Sequence, residues 1–367
     1  MGEREASEGG ESSVRVWLDV LTPKQANLFS ELSARLTSRG CKVLVTTRQY
    51  REVNELLQLR RLKSIEVGRH GGSLLKDKLV ESSKRVAALS KIVEEFEPDA
   101  AISFSSPEAA RVAFGLRLSH YCISDSPHAE AVCKLSIPLS RKLFTPWVIP
   151  KYAWKRYGIS SRDVVRYHAL DPIVWLKAWK KNPRVLDDLN LDIKKPIIVI
   201  RTSEEFAAYL SNNSTAQISK TTEIVEKLLS LNGTQIQLVV LPRYDEQSDR
   251  LHKRFGNRII VPQHVIDAIS LLQASTAFIG GGGTMSAESA LLGVPTVSYY
   301  PGEETFVEKF LINYGLIERI FDPGRIAHRA IAITRSREFQ DFCRKKSNRL
   351  VNTMEDPLRK IIQHVLT

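Results

Sequence analysis

The sequence predicts an α/β protein of two doubly wound, Rossmann-like domains facing across a cleft, and three observations lead there. From Val14 onward, short apolar strand candidates alternate with stretches of helical spacing, which implies parallel sheets covered on both faces. The alternation lapses between about His168 and Lys195, where Pro172 and Pro183 interrupt it, and then resumes. The chain has 367 residues, which suits two domains of roughly 100–200 residues each better than one core.

Residues 1–13 lack large apolar side chains and read as a disordered tail. The first domain, 14–168, opens on the strand "VRVWLDV". The helix "PKQANLFSELSARLTSRG" follows and ends at Gly40, and the next strand is "CKVLVTT". An amphipathic stretch over 74–96 precedes "AAISFS", Pro107 opens a further helix, and "SHYCIS" and "KLFTP" complete the strands. Residues 169–195 form a linker. The second domain, 196–336, has strands at "PIIVIRT", "QIQLVVL", "RIIVP", "TAFIG" and "PTVSYY", with helices near 221–231, 246–255, 265–273 and 285–292. Residues 337–367 are helical in pattern and are expected to cross back to the first domain.

Composition narrows the function classes. No apolar run approaches the ~20 residues of a membrane span, no signal-peptide core follows the start, and Ala6 stands where a myristoylation signal requires Ser or Thr. The four cysteines have no metal-ligand or CxxC spacing, so reduced thiols and a cytoplasmic location are expected. A formal net charge of +12 points to an anionic partner: phosphorylated metabolite, acidic membrane surface or nucleic acid.

The segment "FIGGGGTMSAESALLGVPTVSYYPGEE" is the most informative. Four consecutive glycines carry a heavy entropic cost, so they are expected where the backbone needs unusual dihedrals or close approach by another group. They stand between a strand and a helix, which Thr284 or Ser286 is expected to cap. A helix N-terminus offers unpaired N–H groups and a positive dipole end to a diphosphate. Glu288, about one turn in, is placed to accept hydrogen bonds from ribose hydroxyls. Tight strand–helix packing is the plainer alternative. No Lys-Ser/Thr follows the glycines, so this is not a Walker loop.

"GGGGTMSAESALLGVPTVSYYP" resembles the nucleotide-binding segment of GT-B glycosyltransferases and UDP-N-acetylglucosamine 2-epimerases. Together with "VWLDVLTPKQANLF", "LVTTRQY" and "LPRYDEQ", it makes nearly the whole chain resemble the microbial domain-of-unknown-function family 354, a GT-B-fold relative of those enzymes. The resemblance implies that Gly281, Gly282, Gly283 and Thr284 cradle a donor diphosphate and that Glu288 holds the ribose. It also implies phosphate-binding cations at Arg201 and Arg243. "VPQHVID", with His264, falls where relatives contact the base.

Chemistry is expected from the first domain. Asp19 closes the first strand, where carboxyl-end side chains face a cleft. Asp125, His128 and Glu130 lie together in "SDSPHAEA", which is similar to the "HxEAG" stretch of the epimerases. Either an Asp or a His beside a sugar hydroxyl suits general-base catalysis. Against epimerisation, "SFSSPEA" lacks the epimerases' Gly-Asp-Thr, and "IRTSEEF" lacks their histidine. No Asp-x-Asp motif appears, so no metal is expected.

Between 141 and 184, eleven Lys and Arg interleave with Trp147, Trp154, Trp175 and Trp179. That mixture suits peripheral membrane contact, single-stranded nucleic acid or simple packing of an interdomain hinge. No nucleic-acid module is recognisable, so that partner is not expected. The combined expectation is a metal-independent glycosyltransferase using a nucleotide-diphosphate sugar and a glycan or lipid-linked acceptor. A sugar-nucleotide epimerase or hydrolase and a non-catalytic binding protein are the alternatives.

Overall fold

The computed structural model describes residues 13–72, 74–203, 214–232 and 235–367. Its first seven strands are β1 (Arg15–Val20), β2 (Lys42–Gln49), β3 (Ile65–Arg69), β4 (Ala100–Ser103), β5 (Ser119–Ile123), β6 (Lys142–Pro146) and β7 (Val164–Tyr167). They form one parallel sheet in the order β3-β2-β1-β4-β5-β6-β7. The second sheet is also parallel: β8 (Ile197–Arg201), β9 (Gln237–Leu241), β10 (Ala277–Gly280), β11 (Thr296–Ser298) and β12 (Ile317–Arg319), ordered β12-β11-β10-β8-β9. The central strands "IIVIR" and "AFIG" are buried at every position, because helices cover both faces. "RIIVP" joins its sheet by a single bridge, Val239 to Ile260, rather than as the strand expected.

Strand order reverses beside β1 in the first sheet and beside β8 in the second. Such switch points open a crevice at the carboxyl ends of the strands. In the first sheet Asp19 registers with Thr46 and Ser103, and in the second Gly280 registers with Arg201. Of the residues singled out in the sequence, Asp19 stands at the first switch point and Arg201 with the glycine turn at the second.

Five helices of the first half matter to the site: α1 (Pro23–Thr37), α2 (Arg51–Leu59), α3 (Leu75–Phe96), α4 (Pro107–Gly115) and α5 (Glu130–Ser136). α1 starts where Thr22 accepts from the Gln25 N–H and Pro23 occupies the first turn, and it buries Leu28, Phe29, Leu32 and Leu36. α2 places Val53, Leu56 and Leu57 on its buried face and turns charged residues toward the other sheet. The helix Ile173–Ala178 links the two sheets through Trp175. The last helix, Pro357–Leu366, packs Leu358, Ile361 and Ile362 into the first sheet's core.

Among the described residues no helix is long and apolar enough to cross a membrane. The four tryptophans of the basic stretch turn inward. Trp154 and Trp175 are fully buried, Trp147 packs on His168 and Phe310, and the Trp179 indole donates to Asp267. These rings pack hinge and core, so they are not displayed for headgroups or bases.

Candidate functional site

The glycine turn follows β10 and leads into the helix Gly283–Leu291. None of its four glycines has positive φ, so backbone conformation does not require them. Close approach does. A Cβ on Gly281 would lie 2.7 Å from the Ser203 nitrogen, and one on Gly282 would run into the Arg243 guanidinium. In front of Gly283 the space is open. Gly282 is the N-cap and supplies no side chain, so the first N–H groups of the helix lack a cap. The expected cap is corrected here: Ser286 donates its hydroxyl back to the Gly282 carbonyl at 2.7 Å, and Thr284 lies inside the helix.

Two arginines reach this turn. Arg201 ends β8 and is buried, donating to the Pro242 carbonyl at 2.9 Å and to Glu52 of α2 at 2.5 Å, while its Nε has no partner among the described residues. The buried Ser203 Oγ is likewise unpartnered among them. Arg243 donates from Nε to the Thr202 carbonyl and lies along Gly282. Uncapped N–H groups, the Arg243 guanidinium at Gly282 and the Ser203 hydroxyl at Gly281 thus lie along one turn beside open space, a constellation that favours an anion.

Glu288 lies one turn further in, buried, and accepts from the Trp175 indole at 2.9 Å across the interdomain boundary. Burial pushes its carboxyl up to about 7, against the pull of that N–H and of Arg60, Arg201 and Lys24. His264 is exposed on the loop before the helix Ala268–Ala274, and the N–H of its neighbour Val265 donates to Glu55 of α2 at 2.8 Å.

The four catalytic candidates of the first domain separate. Asp19 is fully buried and accepts from Arg85 at 2.6 and 3.1 Å, and from Thr46 and Ser106 at 2.7 Å each. Burial alone would raise its carboxyl, but the Arg85 charge and these bonds hold it below the usual range. All its acceptor positions are taken, so Asp19 braces β1, β2, α3 and α4 and is not a base facing the cleft. Glu130 is an exposed residue of α5 paired with Lys134 at 2.5 Å, a surface ion pair rather than a site residue.

Asp125 and His128 stay at the cleft. Asp125 accepts from Ser126 at 2.8 Å and pairs with Lys24, the second residue of α1. Lys24 also pairs with buried Asp171 at 2.5 Å and lies 4.4 Å from the Phe104 ring centre. Burial opposes ionisation of Asp125, yet Lys24 outweighs it and holds that carboxyl low. At Asp171 burial wins, helped by the charge on Asp125, and the carboxyl is raised. Asp171 also accepts from the Tyr167 hydroxyl. His128 feels both Asp125 and Glu303 of the second domain. Lys24, Asp171 and Trp175 were not legible as site residues; the one signal was a lysine in the first βα turn, where ligands of such sheets bind.

Two parallel, doubly wound sheets, each flanked by helices, define a GT-B-fold protein. The chain belongs to the family described as a protein of unknown function, DUF354, whose model matches residues 14–367. An uncharacterised protein of Methanocaldococcus jannaschii is 32% identical over 303 residues, 81% of this chain and 85% of its own. Among solved structures, UDP-GlcNAc 2-epimerase from Neisseria meningitidis bound to UDP-GlcNAc superposes with a TM-score of 0.73 at 17% identity, over 96% of this chain and 99% of that one. Spinosyn forosaminyltransferase superposes with a TM-score of 0.65 at 15% identity, over 97% and 100%. At these identities the likeness is one of fold.

Proposed function

We propose that the protein is a metal-independent glycosyltransferase that takes its sugar from a nucleotide diphosphate. The observation that carries this reading is the grouping of Arg243, Ser203 and the uncapped N-terminus at Gly283, one turn from a buried carboxyl at Glu288. The diphosphate lies against the glycines, where no side chain intervenes, and Glu288 accepts from the ribose hydroxyls. Two of the similar structures, the 2-epimerases of Neisseria meningitidis and Methanocaldococcus jannaschii, hold UDP-GlcNAc, which supports the ligand class.

In the reaction the bond from the sugar's anomeric carbon to the diphosphate oxygen breaks, and a bond to an acceptor hydroxyl oxygen forms. Asp125, kept ionised by Lys24, or His128 beside it takes the hydroxyl proton. Arg201, Arg243 and the helix dipole stabilise the departing diphosphate, as preorganised donors do in a site closed to water. An epimerase is less well supported, because the acidic residue expected after β4 is replaced by Ser105 and Ser106, and the latter caps α4.

Thermal unfolding with UDP, GDP, ADP and CMP tests the donor site. A ligand at 100 times its Kd adds ~2.7 kcal/mol, or several degrees for domains of this size at ~2–4 °C per kcal/mol. The expected outcome is a nucleotide-selective rise in Tm that disappears in Glu288→Ala. No rise with any nucleotide overturns the reading. Products from donor alone, without acceptor, would move it to epimerase or hydrolase.

A further inference from the structure

Arg48 is a half-buried cation that the proposed reaction does not use. It lies two residues beyond Thr46 on β2, where the pairing with β3 shifts register between Thr47 and Gln49. Its charge feels Glu108, Arg85 and Asp19, so it stands on the side of the Asp19–Arg85 pair, toward the carboxyl end of the strand. Its Nε is shut off from solvent without a partner, and among the described residues its guanidinium makes no ion pair. Other well-buried guanidiniums are matched: Arg85 donates to both Asp19 oxygens and the Val67 carbonyl, and Arg201 meets Glu52.

Nothing nearby neutralises Arg48. Arg85 has already consumed Asp19. Glu108, in the first turn of α4, is buried and accepts from Ser106 at only 3.5 Å, but stands beyond ion-pair distance. Burial therefore works against the guanidinium's charge more than Glu108 restores it. A half-buried cation that makes no ion pair among the described residues leaves part of its guanidinium open to an anion.

We propose that Arg48 anchors an oxyanion subsite in the first domain, taking a phosphate or carboxylate through the two-pronged face of its guanidinium. Glu108 stands beside it as an acceptor for a neighbouring hydroxyl. The subsite reaches the cleft: Tyr50, two residues on, donates to Glu52 at 3.3 Å, and the other Glu52 oxygen meets Arg201. Assigning the oxyanion to the sugar acceptor rests on the transferase reading, and it makes that acceptor a hydroxyl compound bearing a phosphate or carboxylate.

The test uses the full chain saturated with UDP, so that the second-domain site is filled. Glucose 1-phosphate, glucuronate and a short prenyl phosphate in detergent are then titrated by calorimetry. At least one is expected to bind saturably, at least tenfold more weakly in Arg48→Ala, with Arg48→Lys between the two and the UDP response unchanged. The prenyl arm alone would identify a lipid-linked source, and the glucose 1-phosphate or glucuronate arm a soluble one. Arg48→Ala is also expected to lower Tm only slightly, since it loses stem packing but no ion pair or hydrogen bond to a described residue, whereas an arginine holding the fold together would lower Tm substantially. Saturation by none of the three, or equal binding to Arg48→Ala, overturns the subsite while the UDP response keeps the donor site standing. Oxyanion binding with no UDP response leaves the subsite and removes the transferase reading.

Discussion

The carboxyl ends of the two sheets are built alike and finished differently. In the first, Asp19 has four donors and Lys24 has two carboxylates, so each buried charge answers another within the fold. In the second, the helix at Gly283 is uncapped, Ser203 Oγ and Arg201 Nε lack partners among the described residues, and Glu288 relies on one indole from the linker. The saturated end stiffens the scaffold, and the unsaturated end spends stability on readiness for a ligand. Arg48 is the exception on the first side, which is why it invites a ligand there.

The sharpest way to break this comparison is Asp19→Ala. Removing one partner of a buried pair leaves Arg85, 1% exposed, as an uncompensated cation, which costs about 3–5 kcal/mol. Chemical denaturation should show that loss, and Arg85→Met added to Asp19→Ala should recover part of it. A loss under 1 kcal/mol would mean that the first end is no more self-satisfied than the second.

Glu288 gives the next largest effect, with a defined sign. Its carboxyl is raised from 4.5 to about 7 in the fold, so between those values the folded state holds more proton than the unfolded one. Stability therefore falls as pH rises through this window, by on the order of 3 kcal/mol in full, and the cost is absent below it. Glu288→Gln, which keeps an acceptor for Trp175, should be more stable than wild type at pH 8 and lose that advantage toward pH 5. Nucleotide affinity in the wild type should run the other way, rising by up to tenfold per unit toward pH 7 as the carboxylate that accepts ribose hydroxyls forms. Parallel curves for the two proteins would show that Glu288 does not titrate in the fold.

These contrasts also explain how far the sequence could be read. The strands at "IIVIR" and "AFIG" announced themselves as short apolar runs because both their faces are covered. The glycine turn was legible because four glycines have few uses, although the reason proved to be contact with Ser203 and Arg243 rather than positive φ. Asp19 was placed at the right strand end but given the wrong task, since its partner Arg85 lies 66 residues away on another helix and no local pattern joins them. Of the uses open to the tryptophans, packing of hinge and core is the one the fold shows: neighbours in sequence with lysines, they face the opposite way in space. α2 was missed because its nine residues hold only three buried apolar side chains, yet through Arg201, Asp245 and Val265 it fastens the two domains together.

The smallest effect concerns the one neutral contact that Glu288 makes with the linker. Trp175→Phe keeps an aromatic ring in the core, deletes the N–H that Glu288 accepts at 2.9 Å, and leaves a small cavity where the rest of the fully buried indole stood. A hydrogen bond to a charged group contributes about 1.5–3 kcal/mol and one between neutral groups about 1. The cavity contributes a loss that does not change with pH, while the hydrogen-bond part should be about 1 kcal/mol below pH 6, where the carboxyl is protonated, and grow toward pH 8. If the indole and a ribose hydroxyl compete for the same oxygen, Trp175→Phe binds UDP more tightly than wild type; if Trp175 instead steers the carboxylate toward the ribose, it binds more weakly. Calorimetric titration of the two proteins at pH 8 separates a linker that guards the second site from one that prepares it.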